Sequence, residues 1–371
     1  MVTLRRARVL AVEQSRPGLL LLRVAAEGRE GRAVCYPGIT GECAAGDEAL
    51  VNATATDLGL GTGGVDFVVC NLSHPERTAS GPGHIMKLRY SPLQVRVQAA
   101  VETGSPARGA LEGTPRLGGT PVVACSLHSM LGPVAVMFAR EAPARRLAYV
   151  MTDGGALPLA FSDTAAQLGA AGLLCGTVTA GHAFGGDYEA VGLHDALVVA
   201  CHVLQADAVV VAMGPGVVGA DSELGTTALE QGEIVNATLA LGGRSVAAVR
   251  VSFADQRGRH QGVSHHTLTA LRLVARELDR VAVPALADAA ARREVLEALT
   301  ATAGLPPGHR PVRREQLAEV EAGAAGDELA RHGLRPTTMG RTYVDDPTFF
   351  QAAGAAGIVA ARILQGVAPH G

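Results

Sequence analysis

Lysine is almost missing from this chain: Lys87 is one of 32 basic residues and all the others are arginine. A phosphate loop of the nucleoside-triphosphatase type needs a lysine after its glycines, and imine chemistry needs one in a pocket. Lys87 sits in the strand-like run H-I-M-K-L-R-Y with no glycine-rich loop before it. P-loop hydrolysis is therefore excluded, and no pyridoxal phosphate is expected. Tryptophan is absent and aromatics make up 3%, which leaves little from which to build a stacking platform for single-stranded nucleic acid. Charge of one sign is also lacking. The formal net charge is −3, so no nucleic-acid partner is expected. The apolar stretch Ala196–Met213 is interrupted by His202, Gln205 and Asp207, and no membrane span is expected there. None of the six cysteines forms a C-x-x-C pair and no leader-like apolar segment opens the chain. Reduced thiols and a cytoplasmic location are the expectation.

What is present divides in two. Up to about Tyr90 the β-compatible runs Leu19–Val24, Gly31–Tyr36, Glu48–Ala53 and Val65–Asn71 alternate with turn signals such as Pro17-Gly18 and Gly46-Asp47. They predict a small antiparallel β-barrel with an extended connector, residues 1–101. Ten basic and nine acidic residues in the first ninety point to a structural or oligomerisation module. Leu60–Gly64 reads as a glycine-rich turn. Residues 102–120 carry Gly or Pro every few positions and read as a linker or surface loop.

From residue 121 to 371 the period changes. Buried strand-like runs recur at Val122–Cys125, Leu147–Met151, Leu173–Val178, Ala208–Met213, Val246–Val251 and Val281–Ala285. Helical patterns lie between them, including Glu189–Leu204, Ala228–Leu241 and His265–Leu278, with a charged helix at Arg314–Arg331 and a closing helix from Pro347 to Leu364. Thr227 and Glu230 match a capping box, and Ser264 is placed to cap the helix opening at His265. Alternating strands and helices with continuously apolar strands mean a doubly wound, mostly parallel α/β sandwich. Ligands of such sheets bind beyond the C-terminal strand ends.

Five loops meet that criterion. They contribute Ser126 and His128; Asp153, Gly154 and Gly155; His182 and Asp187; the segment Gly214-Pro-Gly216-Val-Val-Gly219; and Val251–Thr267, which holds Asp255, Arg257, Arg259, His260, His265 and His266. The glycine segment matches G-x-G-x-x-G, but Pro215 stiffens it and its helix starts late, so an anion nest or a tight turn fits better than a dinucleotide site. His182, Asp187 and His260 are candidate ligands of a divalent metal. Asp187 also fits an N-cap at Tyr188. His265 and His266 are adjacent, diverge by about 100° on a helix, and are not expected to hold one ion together. A neutral-histidine site facing an anion, with Arg259 as clamp, is the expected arrangement.

Four stretches carry a family likeness: G-T-V-T-A-G-H-A-F-G-G-D-Y-E-A-V, V-A-M-G-P-G-V-V-G, R-V-S-F-A-D-Q-R-G-R-H-Q-G-V-S-H-H-T and T-T-M-G-R. With them the chain resembles the bacterial family known as domain of unknown function 3866. The resemblance implies a cytoplasmic bacterial protein of this length and no particular reaction. The residues themselves point to an enzyme acting on a small anionic metabolite by acid–base chemistry, with a metal ion as a potential helper. His260, His266, Asp153 and Asp187 are its candidate catalytic groups. A non-catalytic metabolite or nucleotide sensor, or an assembly module forming a homo-oligomer, is the alternative. A nucleotide-dependent oxidoreductase ranks third.

Overall fold

The computed structural model describes all residues except 62, 79, 114, 115 and 367–371. Thr62, inside the expected Leu60–Gly64 turn, lies outside the described residues. By its internal contacts the chain forms two compact units, Met1–Val97 and Gln98–Gly371.

The first unit is a closed five-stranded barrel. Its elements run β1 (Leu4–Arg16), β2 (Leu19–Ala26), β3 (Arg29–Cys35), the short helix α1 (Pro37–Thr40), β4 (Glu48–Asn52), α2 (Thr54–Asp57) and β5 (Asp66–Asn71). Alternation of side chains along β2 sends Leu20, Leu22 and Val24 inward, where they meet Val9, Ala33, Val51 and Val68. The barrel closes in the order β1-β2-β3-β5-β4, with β4 pairing back onto β1. It differs from the expected antiparallel barrel at one seam. β3 and β5 pair in parallel, because α1 and β4 intervene and return the chain in the same direction. A two-stranded hairpin, β6 (Ile85–Lys87) with β7 (Val95–Val97), ends the unit.

In the second unit, residues on both sides of 114 and 115 lie against the sheet domain: Ala107 and Leu117 are buried, and Leu117 N–H donates to the Leu241 carbonyl. The elements that follow are β8 (Pro121–Ala124), α3 (Leu131–Glu141), β9 (Leu147–Thr152), α4 (Asp163–Ala170), β10 (Gly176–Thr179), β11 (Tyr188–Glu189), α5 (Leu193–His202), β12 (Ala208–Met213), α6 (Glu230–Ala240), β13 (Arg244–Ala248), β14 (Val251–Ser252), β15 (Gly262–Val263), α7 (His265–Thr269), β16 (Arg280–Pro284), α8 (Ala289–Thr300), β17 (Leu317–Val320), α9 (Ala325–Arg331) and α10 (Pro347–Gln365). Eight strands form one sheet in the order β11-β10-β9-β12-β8-β13-β16-β17, and every neighbouring pair is parallel. One face is packed by α3, α4, α9 and α10, the other by α5, α6 and α8. The chain leaves central β8 toward β9, β10 and β11, then returns through β12 to build the opposite half. This change of direction falls at the C-terminal ends of β9, β12 and β8, the place where doubly wound sheets form their ligand crevice.

Several local expectations change. The expected charged helix Arg314–Arg331 is instead strand β17 followed by α9. Leu317, Ala318 and Val320 are buried beside β16, and sheet pairing outweighs the local helical pattern. The expected helix from Glu189 starts only at Leu193, because Tyr188 and Glu189 extend the sheet edge. Asp195, not Asp187, then accepts the Val191 and Gly192 N–H groups. The helix from His265 is α for five residues, continues as a π turn over Ala270–Val274, and stops. Among the described residues one helix, Pro347–Gln365, is long and apolar enough to cross a membrane, and it is mostly buried in the core here.

Candidate functional site

The loop after β13 is folded by its own short hairpin. Val251 pairs with Val263 and Ser252 with Gly262, so residues 253–261 return over the start of α7. This return carries His260, in a tight turn over Gly258–His260, onto the two histidines that open α7. The three rings form one cluster. Centroids are 5.1 Å apart for His260–His265, 5.1 Å for His260–His266 and 4.0 Å for His265–His266. One nitrogen from each ring can be chosen so that all three lie within 4.8 Å of one another. The expected divergence of His265 and His266 therefore does not occur. Helical geometry separates their Cα–Cβ directions, while side-chain torsions in the first turn bring the ring atoms back together.

The donors are free to act as ligands. His260 and His266 are buried, at 2% and 7% exposure. Nδ1 of His260 is hydrogen-bonded to Ser264 Oγ at 2.8 Å, which takes that hydroxyl away from the helix-capping role expected of it. The Nε2 atoms of His265 and His266 are buried without a partner. Burial, then the guanidinium charges of Arg250 and Arg257, push His260 down to about 3. Burial, then the neighbouring His265 and Arg250, push His266 down to about 4. His265 is lowered as well, again chiefly by burial. All three are neutral at pH 7, with a lone pair on one ring nitrogen.

An ion-pair network supports the loop from beneath. Asp255, 2% exposed, accepts from Arg250 (3.1 Å), Arg257 (2.9 Å) and Arg341 (3.3 Å). Arg341 also meets Asp346, which accepts from Ser252 Oγ at 2.7 Å. Asp255 is thus a structural hub, held well below the usual carboxylate range chiefly by its hydrogen bonds to Arg257. The fourth arginine, Arg259, pairs with Asp221 at 2.9 Å.

The other sequence candidates fall into separate groups. Gly214 and Gly155 are required by packing: a Cβ on Gly155 would lie 2.2 Å from the Gly214 carbonyl oxygen, and one on Gly214 would lie 2.1 Å from that of Ala156. Gly216 adopts φ +104° in open space, and Gly219 lies against His266, whose Cε1 is 3.0 Å from where its Cβ would stand. Of the glycine segment, Gly219 thus reaches the histidine centre. His128 is enclosed elsewhere, with Nε2 2.8 Å from Ser162 Oγ and Nδ1 near Tyr149 Oη and the Met213 carbonyl, and burial lowers it to about 4. Ser126 is buried, and its hydroxyl donates to Met130 Sδ at 3.9 Å. Asp153 accepts the His182 N–H at 2.8 Å. Asp187 accepts both the N–H and the hydroxyl of Thr177 at 2.8 Å, stitching the β10 edge. His182 and Asp187 do not belong to the histidine cluster.

One group went unnoticed in the sequence because it matched a cap. Glu230 does not close a capping box with Thr227. Its carboxyl accepts from Thr152 Oγ1 at 2.7 Å, beside Gly154 at the crevice, and burial pushes it up to about 7. The turn Thr227–Leu229 just before it packs on α7, next to the histidines.

No curated protein and no solved structure matches this chain. One family model does match, and it spans residues 32–357, from the barrel through the sheet to most of α10. The chain belongs to the family described as "Protein of unknown function (DUF3866)".

Proposed function

We propose that this chain is a metal-assisted enzyme acting on a small anionic metabolite, with His260, His265 and His266 as ligands of one divalent ion. The observation that carries this reading is the convergence of three neutral imidazoles, two of them with buried ring nitrogens that no protein group satisfies. An unsatisfied buried acceptor costs on the order of 1–3 kcal/mol, a cost that a bound ion removes. In a tetrahedral zinc site the ligand nitrogens stand about 3.3 Å apart, so a spread of up to 4.8 Å needs only side-chain adjustment. The nearby arginines are themselves paired, Arg250, Arg257 and Arg341 with Asp255 and Arg259 with Asp221, which offsets part of their charge around the rings. An all-imidazole donor set favours zinc or a similar transition ion over magnesium or calcium.

A bound ion would supply Lewis acidity and orient the reacting group. Ser264 holds the His260 ring in one orientation, as the outer partners of ligating histidines do. Glu230, poised near neutrality, is the group best suited to exchange a proton with a ligand in the crevice. The six free cysteines fit a reducing, cytoplasmic setting.

Elemental analysis with native mass spectrometry tests the centre. Purified protein is expected to carry one transition-metal ion per chain, and metal-stripped protein to gain thermal stability on adding zinc. His266→Ala should lose both. Wild-type protein that neither holds zinc nor is stabilised by it removes the reading.

A further inference from the structure

Beside His265 opens a groove of about 410 Å³ whose lining includes Asp221, Glu223, Arg259, Arg272 and His309. Two side-chain contacts cross it. Arg259 Nη1 meets Asp221 at 2.9 Å, and His309 Nε2 meets Glu223 at 2.8 Å. The two sides of these pairs differ in how they are held. Both carboxylates come from the segment between β12 and the turn at Thr227, and their side chains are 84% and 45% exposed. The nitrogen-bearing side chains opposite them are built in from three other places: Arg259 from the histidine loop, Arg272 from the π turn after α7, and His309 from the coil after α8, with a side chain only 6% exposed. Arg272 is 7% exposed, and its Nη2 donates to the Ala298 and Leu299 carbonyls. Its Nε is buried with no partner.

We infer that this groove is an oxyanion subsite, and that Asp221 and Glu223 occupy it as internal stand-ins for the anionic group of the substrate. Arg259 and His309 already hold carboxylates at hydrogen-bonding distance, so their geometry suits a phosphate or a carboxylate of a ligand. An exposed ion pair such as Arg259–Asp221 contributes only about 0–1 kcal/mol, and both acids reach the groove from the solvent side, so a multiply charged oxyanion can take their place. Displacement also frees the segment bearing Gly219 from Arg259, beside His266. This subsite rests on the proposed function only for where the reacting end of the ligand lies; oxyanion affinity itself needs no metal.

The test is titration calorimetry on the full chain, stripped of metal and dialysed free of chelator, at low ionic strength. Inorganic phosphate, pyrophosphate and malonate form separate arms, which distinguish a phosphate from a carboxylate preference. At least one of them should bind the wild type. The double variant Asp221→Asn/Glu223→Gln should bind it at least tenfold more tightly, and Arg259→Gln at least tenfold more weakly. All three side chains lie at the surface, and matching thermal melts confirm that the variants fold. The inference is overturned if no arm binds the double variant, if that variant binds no more tightly than wild type, or if Arg259→Gln leaves affinity unchanged. Oxyanion binding that persists in a protein unable to hold zinc would refute the metal centre and leave the subsite standing.

Discussion

Glu230 shows how one carboxyl can be diverted from a local role. Four residues of sequence fit a capping box, yet the side chain turns to Thr152 at the end of β9 and loses enough water for burial to lift it to about 7. In the unfolded chain the same group titrates near 4.5. Between these values the folded state binds the proton and the unfolded state does not, so this group's contribution is complete below about pH 4.5 and is lost as pH rises through 7. Glu230→Gln should therefore be more stable than wild type at pH 8, by about 1–3 kcal/mol, and the gain should vanish at pH 4.5. Urea unfolding of both proteins at the two values measures this difference directly. Nothing in the local sequence distinguishes such a residue from an ordinary cap. Its partner lies 78 positions earlier in the chain.

Among the elements, α10 was the most legible. Asp346-Pro347 marks its start, and A-A-G-A-A-G marks a face made for close approach. That face meets α3. A Cβ on Gly357 would stand 2.2 Å from the Val134 carbonyl oxygen, and one on Gly354 would stand 2.8 Å from Met137. Asp346 departs from its expected role, since its carboxylate goes to Ser252 and Arg341 and makes no cap bond. Gly357→Ala should cost about 1–3 kcal/mol through forced separation of the two helices. Gly169→Ala in α4, where a Cβ meets nothing within 4 Å, should be neutral or stabilising by up to about 1 kcal/mol. Denaturant midpoints of the two variants would check both signs. The short α7 was less legible. Its helical period runs on to Leu278, but the π turn at Ala270–Val274 ends it, where Asn236 Nδ2 donates to the Val274 carbonyl and Asn236 Oδ1 accepts the Arg276 N–H.

At the scale of the molecule, each unit has its own apolar core. The barrel closes on itself, and the parallel sheet is covered on both faces. Every residue assigned to the histidine centre, the oxyanion groove and the Glu230 crevice lies within Gln98–Gly371. A chain of residues 98–371 should therefore fold and keep the zinc-dependent thermal shift of the full protein. Loss of that shift in a truncated chain that still melts cooperatively would show that the barrel contributes to the centre.

The sequence alone determined that a barrel precedes a doubly wound parallel sheet, because side-chain period, turn residues and apolar runs are local properties that act within a few residues. It also marked Val251–Thr267 as chemically dense, and the near-absence of lysine narrowed the chemistry. Only the tertiary structure decided what that density means. The β14–β15 hairpin brings His260 back onto His265 and His266, Arg341 arrives from 86 residues beyond Asp255, and a segment after β12 lays its acids across Arg259 and His309. These are meetings between distant parts of the chain, set by how the sheet is wound and by rotamers chosen in packing. Helical periodicity, which fixes only where Cβ atoms point, could not foretell where the imidazole nitrogens would come to rest.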